Sequence, residues 1–138
     1  HEPLKNELLA YTQKFEHIRD NSDRYLAVAT YLNPVLKDTQ NEIFLLSSYP
    51  KDEPILLETL KLNNDANLSI TELEEDDKIL ELSNINIPWS KHYKIVANFK
   101  EADYLTISYS TKKETNVKLK FLKVSKSMYW QPEIKLDN

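Results

Sequence analysis

Glycine does not occur once in the 138 residues, where average usage of about 7% predicts roughly ten. Glycine supplies positive φ and lets the backbone approach a ligand closely. Without it there is no P-loop, no dinucleotide-binding fingerprint and no G-x-S-x-G nucleophile elbow, which removes most nucleotide-binding enzymes and serine hydrolases of that type. Tight two-residue hairpins of the primed types also become awkward, so connections are expected to be longer or to use Asn and Asp. Cysteine is absent as well. That excludes a disulfide framework and a thiolate zinc site, and leaves redox chemistry silent about the compartment. No run approaches the roughly 20 apolar residues that a membrane-spanning helix needs.

What is present suits one domain. The apolar share is 41%, and a chain of this length can bury a sizeable core. No repeat or linker divides it, so residues 1–138 read as one unit: a helix over 4–20, a β-sandwich over 24–124 and a tail over 125–138. Beginning at His1 without an initiator Met, the chain reads as a processed or trimmed fragment. Net charge is −4, but it is unevenly spread. Residues 37–82 carry 12 acidic residues against 4 lysines, and residues 91–126 carry 9 lysines against 3 acids. The basic half is too modest to imply nucleic acid; solvated faces are the plain reading, and a charged docking surface is the sharper one.

Period-two alternation dominates the second half. Tyr93, Ile95, Ala97 and Phe99 alternate with polar neighbours apart from Val96, as do Leu105, Ile107 and Tyr109, and then Val117, Leu119 and Phe121. This predicts half-buried antiparallel strands over 93–99, 104–109 and 117–124. Leu122 and Val124 shift the apolar set to the other face, which suggests a β-bulge or twisted edge. Earlier, Leu4, Leu8, Tyr11, Phe15 and Ile18 recur at steps of three and four, the stripe of an amphipathic helix. Asp20-Asn21-Ser22-Asp23 ends it with turn chemistry. Residues 24–32 are apolar on both alternating sets and read as a strand covered on both sides, with continued helix as the rival. Short strands follow over 42–48, 55–62 and 68–73, and residues 78–82 continue the series after the acidic turn. The expected fold is mainly β: an antiparallel sandwich of about seven strands behind an N-terminal amphipathic helix, with a β-barrel second.

No catalytic motif rises above chance. The histidines, at 1, 17 and 92, are scattered, and an enzyme would require His17 or His92 to meet acidic partners in a cleft. Asp65, Asn67, Ser69 and Thr71 mimic a calcium-loop spacing, but Ile70 stands where that loop needs glycine. Ser48-x-x-Lys51 lacks the companion motifs of a serine–lysine site. Trp89, Tyr109, Tyr129 and Trp130 are candidates to complete the core. The apolar segment Met128-Tyr129-Trp130 either caps an open end of the sandwich or forms an exposed binding patch.

Ala102-Asp103-Tyr104 opens a late predicted strand with a further strand behind it. It resembles the A-x-Y portion of the tyrosine corner in immunoglobulin-like domains, where the Tyr hydroxyl bonds nearby backbone. More broadly, the amphipathic helix, the Ile87-Pro88-Trp89-Ser90 loop and the lysine-rich late strands resemble small immunoglobulin-like lipoproteins of Gram-negative bacteria. The composition is similar to such proteins from AT-rich members of the epsilon group. That resemblance implies a lipidated Cys upstream of His1 and residence in the periplasm at the outer membrane.

The expectation is therefore a non-enzymatic binding or adaptor module of the cell envelope, without a cofactor or metal. Its partner is expected to be a protein, with no nucleic acid and with membrane contact only through the lipid anchor. Partner-binding candidates are Lys112, Lys113, Lys118, Tyr129 and Trp130. A periplasmic carrier of a small apolar ligand is the second reading, and an uncharacterised enzyme the third.

Overall fold

The structure is a computed structural model and describes residues 8–38, 40–83 and 87–123. Among them are eight strands: β1 (Thr12–Asp20), β2 (Asp23–Tyr31), β3 (Asn41–Tyr49), β4 (Ile55–Leu62), β5 (Leu68–Leu73), β6 (Lys91–Asn98), β7 (Tyr104–Thr111) and β8 (Asn116–Leu122). Two short helices, α1 (Asn33–Leu36) and α2 (Lys78–Ser83), interrupt them. The strands form two antiparallel sheets in the orders β1-β2-β3-β6-β5 and β4-β7-β8. The two face each other as a sandwich.

Alternation explains the layer between the sheets. Tyr25, Ala27, Ala29 and Tyr31 on β2, Phe44 and Leu46 on β3, and Tyr93, Ile95 and Ala97 on β6 project from one sheet. Leu105, Ile107 and Tyr109 on β7 meet them from the other, with Val117, Leu119 and Phe121 on β8. Phe44 lies at the centre, its ring centroid 5.0 Å from Tyr31 and 5.1 Å from Phe121. β3 is buried on both faces because a second, smaller cluster covers the back of the larger sheet. There Leu32, Ile43 and Leu45 are closed over by Leu8 and Leu80.

Four expectations are corrected. Residues 12–20 are strand rather than helix; residues 4–7 of the expected helix lie outside the described residues. Tyr11, in the turn that leads into β1, and Phe15 within it are four apart, an even step, and both pack on the core. Ile18 falls on the opposite face and is 63% exposed. Leu8 and Leu9 are helical, but from Tyr11 to Ile18 the helical stripe is a coincidence of spacing. Residues 78–83 form α2, and its adjacent Ile79 and Leu80, which a strand would send to opposite faces, both close over the back of the sheet. Leu122 is simply an exposed outward position, because the β7–β8 register runs unbroken from Tyr104↔Leu122 to Ser110↔Asn116. Trp89 stands 68% exposed rather than completing the core. The tail over 125–138, and Val124 before it, lie outside the described residues.

The chain turns without glycine by placing other residues in the left-handed region: Lys37, Asn63, Asn64, Trp89 and Glu114 have φ between 50° and 68°. Asn63 and Asn64 lead out of β4, where Asn tolerates that conformation best. Asn63 is further held by its side chain, which donates to the Tyr104 carbonyl (3.0 Å) and accepts from the Thr106 N–H (2.8 Å). The β1–β2 turn at Asn21-Ser22 avoids positive φ altogether. It absorbs the mismatch as a register shift between Ile18 and Asp20.

Candidate functional site

Two surfaces carry chemistry. The first is the outward face of the three-stranded sheet. Register places Tyr104, Thr106, Ser108 and Ser110 of β7 beside Leu122, Lys120, Lys118 and Asn116 of β8, and Lys61 of β4 opposite Ser108. Lys61 and Lys118 thus flank Ser108 from either side, about 10 Å apart at the backbone given the strand spacing. No acid occupies any of these positions. Lys120 Nζ lies 4.2 Å from the centroid of the half-exposed Tyr104 ring. Lys112 and Lys113 sit at the β7–β8 turn. Of the partner-binding candidates, the fold therefore gathers Lys112, Lys113 and Lys118 on one hairpin and adds Lys61 and Lys120. Tyr129 and Trp130 lie outside the described residues. Tyr104 faces outward beside Lys120, so its hydroxyl does not form the buried tyrosine corner.

Charge pairing across the sandwich isolates this group. Lys100 pairs with Asp65, Lys123 with Glu42 (2.7 Å) and Lys91 with Glu72 (4.0 Å). Those lysines of the basic half are used internally, whereas Lys61, Lys112, Lys113, Lys118 and Lys120 form no ion pair among the described residues.

The second surface is a cleft of about 490 Å³ where β5 ends and β6 begins. Glu72, Glu74, Glu75 and Asp76 give it an acidic wall, with Lys51 and Lys91 as the cations and Ser90 and His92 also lining it. The Lys51 N–H donates to the Trp89 carbonyl (2.8 Å) and its ammonium lies 5.3 Å from the Trp89 ring centroid. Together these tie the β3–β4 turn to the loop before β6. Ser90 is 6% exposed, and its Oγ has no hydrogen-bond partner among the described residues. Burial holds the His92 imidazole below its ordinary value, against an opposing pull from Glu75. His92 Nδ1 lies 2.6 Å from Ser47 Oγ. Ser47 is completely buried, so this hydroxyl is closed to a substrate carbonyl and the pair orients the ring. His17 is exposed on β1, away from the cleft. The cleft thus sets four carboxylates and two lysines around Ser90 and His92.

Two buried carboxylates, which the sequence presents only as part of an acidic half, brace the molecule. Glu42 accepts hydrogen bonds from Tyr31 Oη (2.7 Å), the Lys100 N–H (2.8 Å) and Lys123 Nζ. Glu53 accepts from Arg19 Nη2 (2.5 Å), Thr111 Oγ1 (2.6 Å) and Thr115 Oγ1 (2.8 Å). Burial pushes the Glu53 carboxyl up, but the bonds from Arg19 and the two threonines outweigh it and hold the group below its usual range. Arg19 also forks onto Asp23 at 2.9 Å through both nitrogens, and that bond keeps Asp23 low. Nearby, the Tyr25 hydroxyl meets Tyr109 (2.5 Å) and Ser48 (2.7 Å), and burial pushes Tyr25 up to about 12. Sequence signals for these sites are slender: an acid flanked by strand residues at Glu42, and one held between Lys51 and Pro54 at Glu53.

Neither a protein-family model, nor a curated protein, nor a solved structure matches this chain.

Proposed function

We propose that the protein is a non-enzymatic, immunoglobulin-like adaptor module of the bacterial envelope, held there by an upstream lipid anchor. It docks an acidic protein partner on the basic face of its three-stranded sheet. The single observation that carries the reading is the set of five exposed lysines, Lys61, Lys112, Lys113, Lys118 and Lys120, on one strand and one hairpin with no ion pair among the described residues. A sheet face whose β7 and β8 positions carry lysines over a Ser/Thr floor, with Glu58 on β4 and Glu114 in the turn as the neighbouring acids, favours a surface of opposite charge, chiefly through encounter rate and orientation.

Strand order supports the immunoglobulin-like assignment. With the edge strand β1 set aside, β2-β3-β6-β5 faces β4-β7-β8, which is the ABED and CFG order of constant-type immunoglobulin domains. The β6–β7 corner, where such domains use a tyrosine, is fastened instead by Glu42 through Lys100 and Lys123.

The test is recovery of binding partners from envelope extracts by the protein and by a variant with Lys112→Glu, Lys113→Glu and Lys118→Glu. All three side chains are exposed, so the variant is expected to fold and to lose the partner. Undiminished recovery removes the basic face as the docking surface.

A further inference from the structure

We infer that the free edge of β5 and the acidic cleft at its end form a second docking site. Its ligand is an extended peptide that adds to the sheet as a strand and places a Lys or Arg in the cleft.

The edge supplies the first observation. An exposed strand edge offers unpaired N–H and C=O groups, and proteins usually blunt it with lysine, proline, bulges or cover. β4 has a register shift between Leu56 and Lys61, and Pro54 just before it. β1 has Lys14 and its own register shift, and lies against β8 of the other sheet. β8 carries Lys118 and Lys120. Among the described residues β5 has none of these. Its six residues run in unbroken register with β6, from Leu68↔Ala97 to Leu73↔His92, and hold no Lys, Arg or Pro. Among the described residues no other strand pairs with it.

Side-chain parity fixes the kind of strand that fits. Leu68 and Ile70 lie on the core side and are only partly buried against the main cluster. An added strand with apolar residues at alternate positions would extend that layer over them, as side-chain pockets do in strand-addition complexes. Six residues at about 3.3 Å each give a footprint near 20 Å.

The cleft supplies the charge and the second observation. Glu72 belongs to β5 itself, and Glu74, Glu75 and Asp76 follow it directly, so a strand paired along β5 ends beside four carboxylates. Ser90 lines the same cleft, more than nine-tenths buried, with an Oγ that no group among the described residues satisfies. A buried hydroxyl left unpaired is uncommon in a native fold and points to a partner outside the chain. A peptide ammonium or guanidinium supplies charge for the carboxylates and, once the Ser90 side chain turns outward into the cleft it lines, a donor for that oxygen.

The test uses the whole protein and an eight-residue peptide alternating valine with threonine and bearing arginine at its N-terminus. A second peptide has glutamate in place of the arginine. Fluorescence anisotropy is expected to show binding of the arginine peptide, at least tenfold weaker binding of the glutamate peptide, and weakening with salt. Hydrogen exchange is expected to slow at the β5 amides and not along β8. Thr71→Lys places a charge on the edge and should abolish binding. The exposed-loop variant Glu74→Gln, Glu75→Gln, Asp76→Asn keeps the test valid if Thr71→Lys does not fold, and should erase the preference for arginine. Absence of β5 protection at millimolar peptide, or an arginine preference that survives the triple variant, overturns the proposal. The lysine reversals on the opposite sheet should leave peptide affinity unchanged, which separates this site from the basic face.

Discussion

A non-glycine residue in the left-handed region bears a steric penalty of about 1–2 kcal/mol between Cβ and the following carbonyl. Five described residues accept it. Asn63 and Asn64 suit the conformation. Trp89 is the outlier, a bulky ring at φ 64° held in place by Lys51 on both its carbonyl and its ring. Strain of this kind collects where surrounding structure over-determines a position, often at binding sites; here it borders the cleft. Glu114, at φ 67° in the exposed β7–β8 turn, has no such clamp. Glu114→Gly is expected to raise stability by about 0.5–1 kcal/mol, the relief of strain less the added freedom of the unfolded chain. Urea unfolding checks it; a loss of stability would mean that the Glu114 side chain holds the turn.

At the level of elements, β1 shows how an edge strand differs from a helix with the same apolar residues. Phe15 packs on the core at 6.4 Å from the Tyr25 ring, while Ile18 looks outward beside Arg24 in the register with β2. Ile18→Lys is therefore expected to leave stability within about 0.5 kcal/mol. Phe15→Ala is expected to lower it by about 1–3 kcal/mol, less than the usual 3–5 for a fully buried ring. Equal losses at the two positions, read from chemical denaturation, would restore a single helical stripe and remove the strand. α2 illustrates the reverse case. Residues 78–83 are too few for periodicity to separate helix from strand, and the choice falls to the sheet surface that Ile79 and Leu80 must cover.

Across the whole molecule, the Glu53 network ties together three separated stretches of chain: the β1–β2 hairpin through Arg19 and Asp23, the turn before β4, and the β7–β8 turn through Thr111 and Thr115. Removing the charge leaves Arg19, with 24% of its side chain exposed, short of its deepest partner. Glu53→Gln is expected to cost about 2–3 kcal/mol, at or below the 3–5 typical when one partner of a buried pair is lost. The pH profile should follow. Glu53 and Asp23 are held below their ordinary values, so their contribution is complete above about pH 4.5 and is lost as pH falls through the lowered folded-state values. His92 is also lowered. The unfolded chain takes up that proton first, so stability declines as pH drops below about 6.5. Thermal unfolding between pH 8 and 3 should show a first decline below 6.5 and a steeper one below 4.5. Glu53→Gln should flatten the second only. A constant melting temperature from pH 7 to 5 would show that His92 is not disfavoured as a cation.

The sequence by itself determined the strands whose two faces differ. Where alternate side chains meet either core or water, as in β7 and β8, period two is written in the residues, and β4 and β5 are bounded by their turn chemistry. It also determined that Asp20–Asp23 would turn and that glycine-dependent chemistry is excluded. Only the tertiary structure decided the rest, because those features depend on what lies across a gap in sequence. An edge strand needs one covered face and few apolar residues, so β1 could imitate a helix. An acid such as Glu42 or Glu53 is surface or keystone according to whether Lys123 or Arg19 reaches it from a distant strand. The basic face and the acidic cleft exist because sheet order sets Lys61 beside β7 and β8, and brings the acids after β5 to Ser90 and His92.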